Sequence, residues 1–340
     1  MTADGGARHV AGGDDGGAGP DEPQRDNDGA GPDEPRRGDG GRAGHDDAGP
    51  DDGSRRGDVV VLGDVLVDVV VTVDRPVATG SDTPARIGQR GGGSAANTAC
   101  WLGSLGVPTR LVAGIGGDDV GRVARADLAR HGVDHVGPVV ADAATGTCVV
   151  IVDRSRERTM FPDRGANAHL DRFDVATLDA RPAAHLHLSG YALLGDGSRD
   201  AARRALAWAR AGGVAVSVDA ASAAPLRSVG AARFLDWIAG CDLLFANDDE
   251  VEALGGPGPI LSACRALVHK HGRHGATWTD GTRRRYVEAA EVDAVDSTGA
   301  GDAFAAGWLA AAHRGTDVDG CLVAARDLAA AAVAAVGARP

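Results

Sequence analysis

The stretch that decides the fold reads Asp296-Ser297-Thr298-Gly299-Ala300-Gly301-Asp302-Ala303-Phe304. An alanine-rich apolar run at helical spacing follows it, which predicts a loop that turns into a helix. The small residues Gly299, Ala300 and Gly301 let the backbone approach a ligand closely. The first N–H groups of a helix have no partner inside the helix, and the helix dipole is positive there. The stretch therefore predicts a site for an anion.

Asp302 stands directly after this predicted anion site. One interpretation is that Asp302 only caps the helix, since Asp is a favoured N-cap residue. The other is phosphoryl transfer, in which the amides of Ala300, Gly301 and Asp302 stabilise the transferring group. Asp302 then accepts the proton of an attacking hydroxyl, and we expect its carboxyl group to be ionised at neutral pH.

The composition limits the classes of partner and compartment. The chain has 340 residues and a net charge of −13, which argues against a nucleic-acid partner or an anionic membrane surface. Its five cysteines are scattered and form no CxxC pair, which predicts neither a disulfide framework nor a zinc site. No apolar run has the length of a membrane span, and no signal peptide is recognisable. These observations predict a cytoplasmic protein.

Residues 1–57 differ in composition from the rest of the chain. The sequence Ala-Gly-Pro-Asp-Glu-Pro occurs at 18–23 and again at 30–35, and large apolar residues are almost absent. This segment holds 14 acidic and 7 basic residues. Such a segment cannot bury enough apolar surface to offset its ordering entropy, so we predict a disordered acidic tail rich in Gly, Pro and Asp.

From residue 58 onwards, apolar strands alternate with helical patterns. Predicted strands after the first, at 59–62, lie at 109–115, 184–189, 214–218, 241–246 and 275–279. Predicted helices lie at 119–131, 198–211, 228–239, 248–254, 260–270, 300–313 and 318–335, besides one that begins near residue 94. This alternation predicts an α/β fold, a doubly wound and mostly parallel sheet flanked by helices. Two segments without helices, about 65–90 and 145–164, predict a small antiparallel β-strand lid.

Several other nucleotide motifs are excluded. Lys270 is the only lysine of the chain and no GxxxxGK[ST] sequence occurs, so a P-loop is absent. The glycines at 114–117 lack the third glycine of a dinucleotide fingerprint, which weighs against a nicotinamide-dependent oxidoreductase.

Two motifs stand far apart in the chain, Gly-Gly-Ser-Ala-Ala-Asn at 92–97 and the stretch at 296–304. They resemble the N-terminal and C-terminal motifs of the ribokinase-like (pfkB-type) carbohydrate kinase family, and the resemblance extends over residues 58–340. Weaker matches are Gly63 with Asp68, Gly-Ala-Asn at 165–167, Asn-Asp-Asp-Glu at 247–250 and Lys-His-Gly at 270–272.

The resemblance implies an acceptor site. Asp68 and Asn97 would bind sugar hydroxyls, and Gly92 and Gly93 would let the backbone approach the sugar. A carboxylate and an amide are chemically suited to pairs of hydroxyl groups.

The resemblance also implies a nucleotide site. Asn247, Glu250, Lys270 and Gly272 would lie near ATP, with Mg²⁺ held near Glu250 through water. Asn247 and Glu250 also have the spacing of a capping box, and both interpretations can hold for the same residues. Asp296 corresponds to a position where relatives bind a monovalent cation, with K⁺ as the candidate.

The predicted function is ATP-dependent phosphorylation of a hydroxymethyl group on a small sugar, as in ribokinases and fructokinases. The nearest alternative is a nucleoside kinase of adenosine or pseudouridine type. We favour a free sugar because Phe161 is the only aromatic residue of the two lid segments that could stack on a base. A catalytically silent binding protein is a further alternative. The expected partner is a small sugar or nucleoside, with no nucleic acid and no membrane, and the lid is the candidate surface for a homodimer.

Overall fold

The apolar run Asp58–Leu62 forms a strand in the interior of the main sheet. The computed structural model describes residues 57–155 and 158–340, so the predicted tail lies outside the described residues except for Gly57. Val59 and Val61 pack into one hydrophobic cluster, while Val60 and Leu62 pack into another. Successive side chains of a strand point to opposite faces, so this strand is covered on both sides.

The strands of the described residues, in chain order, are β1 (Asp58–Leu62), β2 (Leu66–Thr72), β3 (Arg86–Gly92), β4 (Thr109–Val112), β5 (Ile115–Gly116), β6 (Val133–His135), β7 (Val139–Val140), β8 (Thr147–Val152), β9 (Arg158–Asp163), β10 (Ala183–Ser189), β11 (Ala215–Asp219), β12 (Leu243–Asn247), β13 (Leu267–Lys270), β14 (Ala276–Thr279) and β15 (Arg284–Val287).

The α-helices within the same ranges are α1 (Ser94–Ser104), α2 (Asp119–Arg130), α3 (Tyr191–Leu194), α4 (Asp196–Ala211), α5 (Ala223–Val229), α6 (Ala231–Ile238), α7 (Asp248–Ala253), α8 (Pro257–Ala263), α9 (Ala300–His313) and α10 (Val318–Val333). Short 3₁₀ helices lie at Gly165–Arg172, Val175–Ala180 and Gly272–His274.

The main sheet has nine strands in the part of the chain that the structure describes. Their order is β15-β14-β13-β12-β11-β10-β1-β4-β6. All neighbours from β13 to β6 are parallel, and β14 and β15 add an antiparallel edge. Helices α1, α9 and α10 contribute to the hydrophobic cluster on one face, and α4, α5 and α6 to the cluster on the other. The predicted fold class is confirmed.

A second sheet forms the lid, which comprises β2, β3, β8 and β9 in the order β3-β2-β8-β9. The prediction of an antiparallel lid is wrong for one pair, because β2 and β8 are parallel. The chain between them passes through α1 and α2, and such a long crossover allows parallel pairing. The other two pairs are antiparallel.

Two helix predictions are also wrong. The helix expected at 260–270 ends at Ala263, and Leu267–Lys270 forms β13 instead. Leu267 and Val268 are buried between β12 and β14, so sheet pairing overrides the helical pattern of a short apolar run. The helix expected at 228–239 divides at Gly230, whose φ of 92° lies in a region that favours glycine.

All five cysteines lie in the described ranges, and all of them are buried. Within those ranges, no helix combines the length and the apolar character that crossing a membrane requires.

Candidate active site

The turn before α9 is shaped for an anion. Gly299 is the N-cap residue with φ of 73°, and a Cβ at this position would lie 2.6 Å from that of Ala338. In the described part of the chain, the amides of Gly301 and Asp302 donate no hydrogen bond. The amide of Ala300, by contrast, donates to Ser297 O at 3.4 Å. Two of the three predicted donors are therefore available to a ligand.

Asp302 is the third residue of α9, so the N-cap interpretation is wrong. Its carboxylate instead accepts two hydrogen bonds from α1: Ser94 Oγ donates to Oδ1 at 2.8 Å and Asn97 Nδ2 donates to Oδ2 at 2.9 Å. Burial, with a smaller contribution from the charge of Asp219, raises the pKa of Asp302 to about 7. Hydrogen bonds from Asn97 and Ser94 oppose this rise. The expected full ionisation at neutral pH is thus corrected, because the raised pKa keeps part of this group protonated near pH 7.

Both polar atoms of the Asn97 side chain form hydrogen bonds. Its Nδ2 contacts Asp302, and its Oδ1 accepts a hydrogen bond from Arg339 Nε at 3.1 Å. Arg339 also donates to Asp127 Oδ2 at 2.7 Å and to Gly92 O at 2.6 Å. Neither Ser94 nor Arg339 was predicted as a site residue. A lone arginine near the end of an alanine-rich segment gives no sequence signal for such a position.

Asp68 lies in β2 with 8% of its surface exposed, on the lid face that is buried. Its carboxylate lies against Gly92, where a Cβ would come within 2.2 Å of Oδ1. At Gly93, with φ of 92°, a Cβ would lie 2.6 Å from Asp64 O. Burial raises the pKa of Asp68 to about 6, although the charge of Arg339 lowers it. The four predicted acceptor residues, including Asn97, therefore come together at the start of α1.

Lys270 lies at the anion site. Its Nζ forms an ion pair with Asp219 Oδ2 at 2.8 Å, and a Cβ on Gly301 would lie 3.3 Å from the same nitrogen. Burial opposes the charge of Lys270, but Asp219 and Glu250 together raise its pKa above the usual value. Asp219 was not predicted, although it ends β11 at the carboxyl edge of the sheet, where ligands of such folds bind.

Asn247 and Glu250 form a capping box at α7. Asn247 Oδ1 accepts from the amide of Glu250 at 2.9 Å, and Glu250 Oε2 accepts from the amide of Asn247 at 2.8 Å. Glu250 is 3% exposed, and burial raises its pKa, with Lys270 opposing that rise. The capping prediction is confirmed, and the carboxylate lies in the same electrostatic neighbourhood as Lys270 and Asp219.

A cavity of about 490 Å³ lies beside this group. Its lining includes Asn247, Lys270, Gly272, Gly301 and Phe304, together with apolar side chains at the start of α9 and on α10. This volume lies within the range of ligand pockets in proteins. A larger cavity of about 650 Å³ is lined by Val59, Ala215 and Leu243, at the amino ends of their strands, and so lies away from the anion site.

Asp296 connects the lid to the α9 turn. Its Oδ1 accepts hydrogen bonds from the amide and hydroxyl of Thr298 and forms an ion pair with Arg158 of β9. Its Oδ2 accepts a hydrogen bond from the amide of Gly337 at 3.1 Å. The predicted cation ligand therefore already has protein partners.

The fold and the site together define a class of protein. A general-base candidate at free helix amides, an ammonium group beside it and a nucleotide-sized cavity are the parts of a phosphotransferase.

A more specific assignment comes from comparison with known proteins. The chain belongs to the pfkB family of carbohydrate kinases, whose family model matches residues 56–340. An ATP-dependent ribose-1-phosphate kinase of Halopiger xanaduensis is 34% identical, and the match covers 83% of this chain and 93% of that protein. A nucleoside kinase of Methanothermobacter thermautotrophicus is 28% identical, with 78% and 85% covered.

Solved structures agree on the fold. The adenosine kinase from Sinorhizobium meliloti matches with a TM-score of 0.76 at 22% identity, over 84% of this chain and 96% of that one. A putative ribokinase II from E. coli in complex with ATP and Mg²⁺ matches with a TM-score of 0.70 at 24% identity, over 83% and 94%. The chain is thus a sugar or nucleoside kinase of a family that uses ATP, as predicted from its two motifs.

Proposed function

We propose that the protein transfers the γ-phosphoryl group of ATP to the hydroxymethyl group of a small sugar, with a ribofuranose as the first candidate. The observation that carries this proposal is the position of Asp302 between Asn97 of the acceptor side and the free amides beside Lys270. Ribose 1-phosphate and nucleosides, which the two relatives are named for, share a ribofuranose with a hydroxymethyl group.

The residues divide the reaction between them. Asp302 accepts the proton of the hydroxymethyl group. The oxygen of that hydroxymethyl group bonds to the γ-phosphorus, and the bond between the γ-phosphorus and the β-γ bridging oxygen breaks. The amides of Gly301 and Asp302 and the ammonium group of Lys270 stabilise negative charge on the phosphoryl oxygens. Asp68 and Asn97 hold other sugar hydroxyls, and ADP leaves with the bridging oxygen.

The acidic residues near Lys270 suit Mg²⁺. Asp219 and Glu250 carry two carboxylates against one ammonium group, and burial, with a smaller contribution from the charge of Asp219, raises the pKa of Glu250. Mg²⁺ keeps several waters and binds through few carboxylates, so these residues with Asn247 would hold it by way of water. When bound, the ion supplies charge neutralisation at the ATP phosphates.

A nucleoside acceptor remains the second candidate. Phe161 pairs in register with Val149, which pairs with Val69, whereas Asp68 pairs with Cys148. Phe161 therefore lies on the outer lid face, opposite Asp68, and does not offer its ring to the acceptor. Tyr191 is a further aromatic residue near the pocket, because the charges of Asp64 and Asp302 act on its hydroxyl, and a ring there would suit a nucleoside base.

The experiment is a measurement of ADP release with ATP and Mg²⁺ over ribose, ribose 1-phosphate, fructose and adenosine. We expect a sugar to give the highest kcat/KM. Higher turnover of adenosine would favour the nucleoside kinase, and ADP release that no acceptor stimulates would contradict the proposal.

We further propose that the lid sheets of two chains pack together. The outer lid face carries Val71, Ile87, Val149 and Phe161, of which Ile87 is 69% and Phe161 55% exposed. Large exposed apolar patches often mark interaction surfaces. Light scattering should give twice the chain mass, and Phe161→Asp should give the mass of one chain.

We also propose that K⁺ binds near Asp296 and that the protein is located in the cytoplasm. The pairing of Asp296 with Arg158 means that a cation there would have to share or replace that contact. A rate that rises when K⁺ replaces tetramethylammonium would support the cation site, and an unchanged rate would contradict it. Fractionation of cells of the source organism tests the location.

A further inference from the structure

Two histidines and one aspartate face each other where β13 ends and α7 begins. His269 and His271 stand on either side of Lys270, and Asp248 is the first residue of α7. Each of these three acidic or imidazole side chains offers one ligand atom, and the three atoms lie within 4.8 Å of one another. Within residues 57–155 and 158–340, no other group of three or more His, Cys, Asp or Glu side chains is so close. The cluster has no part in the proposed mechanism, so it needs a separate explanation.

The distances in this cluster are close to those around a single metal ion. Asp248 Oδ1 lies 2.9 Å from His271 Nδ1 and 2.8 Å from His269 Nε2. The ligand atoms of one tetrahedral zinc ion, each about 2.0–2.1 Å from the metal, are about 3.3 Å apart. The side chain of Asp248 is 65% exposed and therefore free to move outward by this small difference. The three ligand atoms can thus surround an ion without a change in the backbone.

His269 has a ring nitrogen that lacks a hydrogen-bond partner in the described part of the chain. This atom, Nε2, is shielded from solvent, and Asp248 Oδ1 lies nearby but off the direction in which the nitrogen would donate. Two ligands of one ion stand to each other in this way, because each points at the ion and not at its neighbour. Burial, and after it the charge of His271, lowers the pKa of His269, so its ring is neutral at neutral pH. Neutral imidazole is the form that binds metals.

His271 is oriented by a residue of the neighbouring strand. Its Nε2 lies 3.1 Å from Oγ1 of Thr277, which is buried in β14. When Nε2 carries the ring proton, it donates to Thr277 and leaves the lone pair of Nδ1 facing Asp248. Histidines that bind metals almost always have such a partner for their second nitrogen. The charge of Arg284, which donates to the same hydroxyl at 3.4 Å, opposes a cation here, and the carboxylate of Asp248 offsets it.

The cluster is separate from the proposed nucleotide and Mg²⁺ sites. Lys270, between the two histidines, pairs with Asp219 at the anion site, whereas His269 and His271 both contact Asp248. Successive side chains of a strand point to opposite faces, which explains this division. The lining of the cavity of about 490 Å³ includes Lys270 but none of the three cluster residues. An ion in the cluster would therefore not occupy the place of ATP.

We propose that Asp248, His269 and His271 bind a divalent transition-metal ion of the zinc class, in addition to the Mg²⁺ that accompanies ATP. Two imidazoles and one carboxylate suit Zn²⁺, whereas Mg²⁺ takes oxygen ligands. The exposure of Asp248 leaves a fourth position for water. The sequence predicted no zinc site, but that prediction rested on the cysteines, and none of these ligands is a cysteine. The ion would connect α7 to β13, the two elements that hold the capping box and Lys270.

The first test is zinc binding by the full chain, purified without a histidine tag and freed of metal by a chelator. Isothermal calorimetry with Zn²⁺ in the presence of saturating Mg²⁺ should show one tight equivalent per chain. Free Zn²⁺ at about a hundred times the Kd should raise the Tm by about 5 °C. Co²⁺ should give the intense visible absorption of a four-coordinate ion.

The second test changes the ligands and their support. His269→Ala and Asp248→Ala should each abolish the tight equivalent and the rise in Tm. Thr277→Val keeps all three ligands and should weaken zinc binding by about ten- to a hundredfold, as loss of an outer partner does. His169→Ala is the matched control, since His169 lies in the 3₁₀ helix at Gly165–Arg172 and outside the cluster. The control should bind zinc like the unaltered protein.

Three results would overturn the inference. One is the absence of a tight equivalent in the unaltered protein. Another is retention of that equivalent in Asp248→Ala and His269→Ala, which would place the ion elsewhere, for example on the acidic residues of 1–57. The third is displacement of Zn²⁺ by millimolar Mg²⁺, which would assign the ion to the Mg²⁺ site. If His269→Ala does not fold, Asp248→Ala still decides, because this exposed side chain contributes nothing to the core.

Discussion

Asp302 accepts hydrogen bonds from two donors, which orient its carboxylate. Burial, and after it the charge of Asp219, raises its pKa. Asp302→Asn keeps the shape of the side chain and removes the proton acceptor. We expect kcat to fall by about 10²–10⁴-fold with sugar binding retained. Single-turnover kinetics and calorimetric sugar titration measure the two quantities, and near-normal turnover would exclude Asp302 as the base.

The pKa of about 7 for Asp302 predicts the pH dependence of the reaction. A raised pKa means that the protonated form, which cannot accept a proton, dominates below that value. kcat/KM should therefore rise by about tenfold per pH unit below pH 7 and level off above it. Asn97→Ala removes a hydrogen bond that favours the carboxylate, so its midpoint should move to higher pH. A midpoint near 4 in the unaltered protein would contradict the burial of this group.

Asp68 provides the residue-scale test of the acceptor site. It is buried against Gly92 on the inner lid face, away from the cavity assigned to the nucleotide. Asp68→Ala should raise the KM for the sugar by about ten- to a hundredfold, because a charged hydrogen bond contributes about 1.5–3 kcal/mol. The KM for ATP should stay unchanged. A larger rise in the KM for ATP than in the KM for the sugar would contradict the assignment of Asp68 to the acceptor site.

At the scale of elements, patterns with a cap or a long period were predicted well and short apolar runs were not. Helix α9 begins and ends at the predicted residues because glycine and alanine fix its start. The prediction of a helix over 260–270 is wrong at 267–270, because four apolar residues give no period that separates a strand from a helix. Its partners on β12 and β14 decide the outcome, and they are distant in sequence.

Helix α7 allows its capping and ligand roles to be separated. Asn247→Ala removes an N-cap, which should cost about 0.5–2 kcal/mol of stability, and it should also raise the Mg²⁺ concentration needed for half-maximal rate. Asp317→Ala is the matched control, because Asp317 caps α10 by accepting from Gly320 N at 2.9 Å. The control should lose similar stability with unchanged Mg²⁺ dependence. Equal Mg²⁺ dependence in both variants would show that Asn247 only caps α7 and has no role in Mg²⁺ binding.

At the scale of the whole molecule, the doubly wound and mostly parallel sheet predicted from the sequence is confirmed. The acceptor and nucleotide roles of the site residues stay predictions. The sequence predicted neither Arg339 nor Asp219, because their roles depend on which distant segments the fold brings together. Asn97 contacts Asp302 across 205 positions and Arg339 across 242. Local sequence patterns do not predict contacts between residues that are so far apart in the chain. Ser94, by contrast, lies inside a motif that was recognised.

Residues 1–55 precede the segment that the family model matches. Their composition offers almost no apolar surface to a core, so their removal should leave the Tm and the steady-state constants nearly unchanged. Differential scanning calorimetry and ADP release measure both, with the full chain as reference. A clear drop in either would mean that the acidic repeats bind the kinase domain.

The bond between Arg339 and Asn97 has a consequence for synthesis of the protein. Proteins are made from the N-terminus, and domains can begin to fold while the ribosome is still adding residues. Asn97 is synthesised long before Arg339, which donates a hydrogen bond to it, because 242 positions separate these two residues. A nascent chain that contains both family motifs still lacks this contact. Catalytic competence should therefore appear late, after residue 339 has left the ribosome, rather than gradually as the sheet assembles.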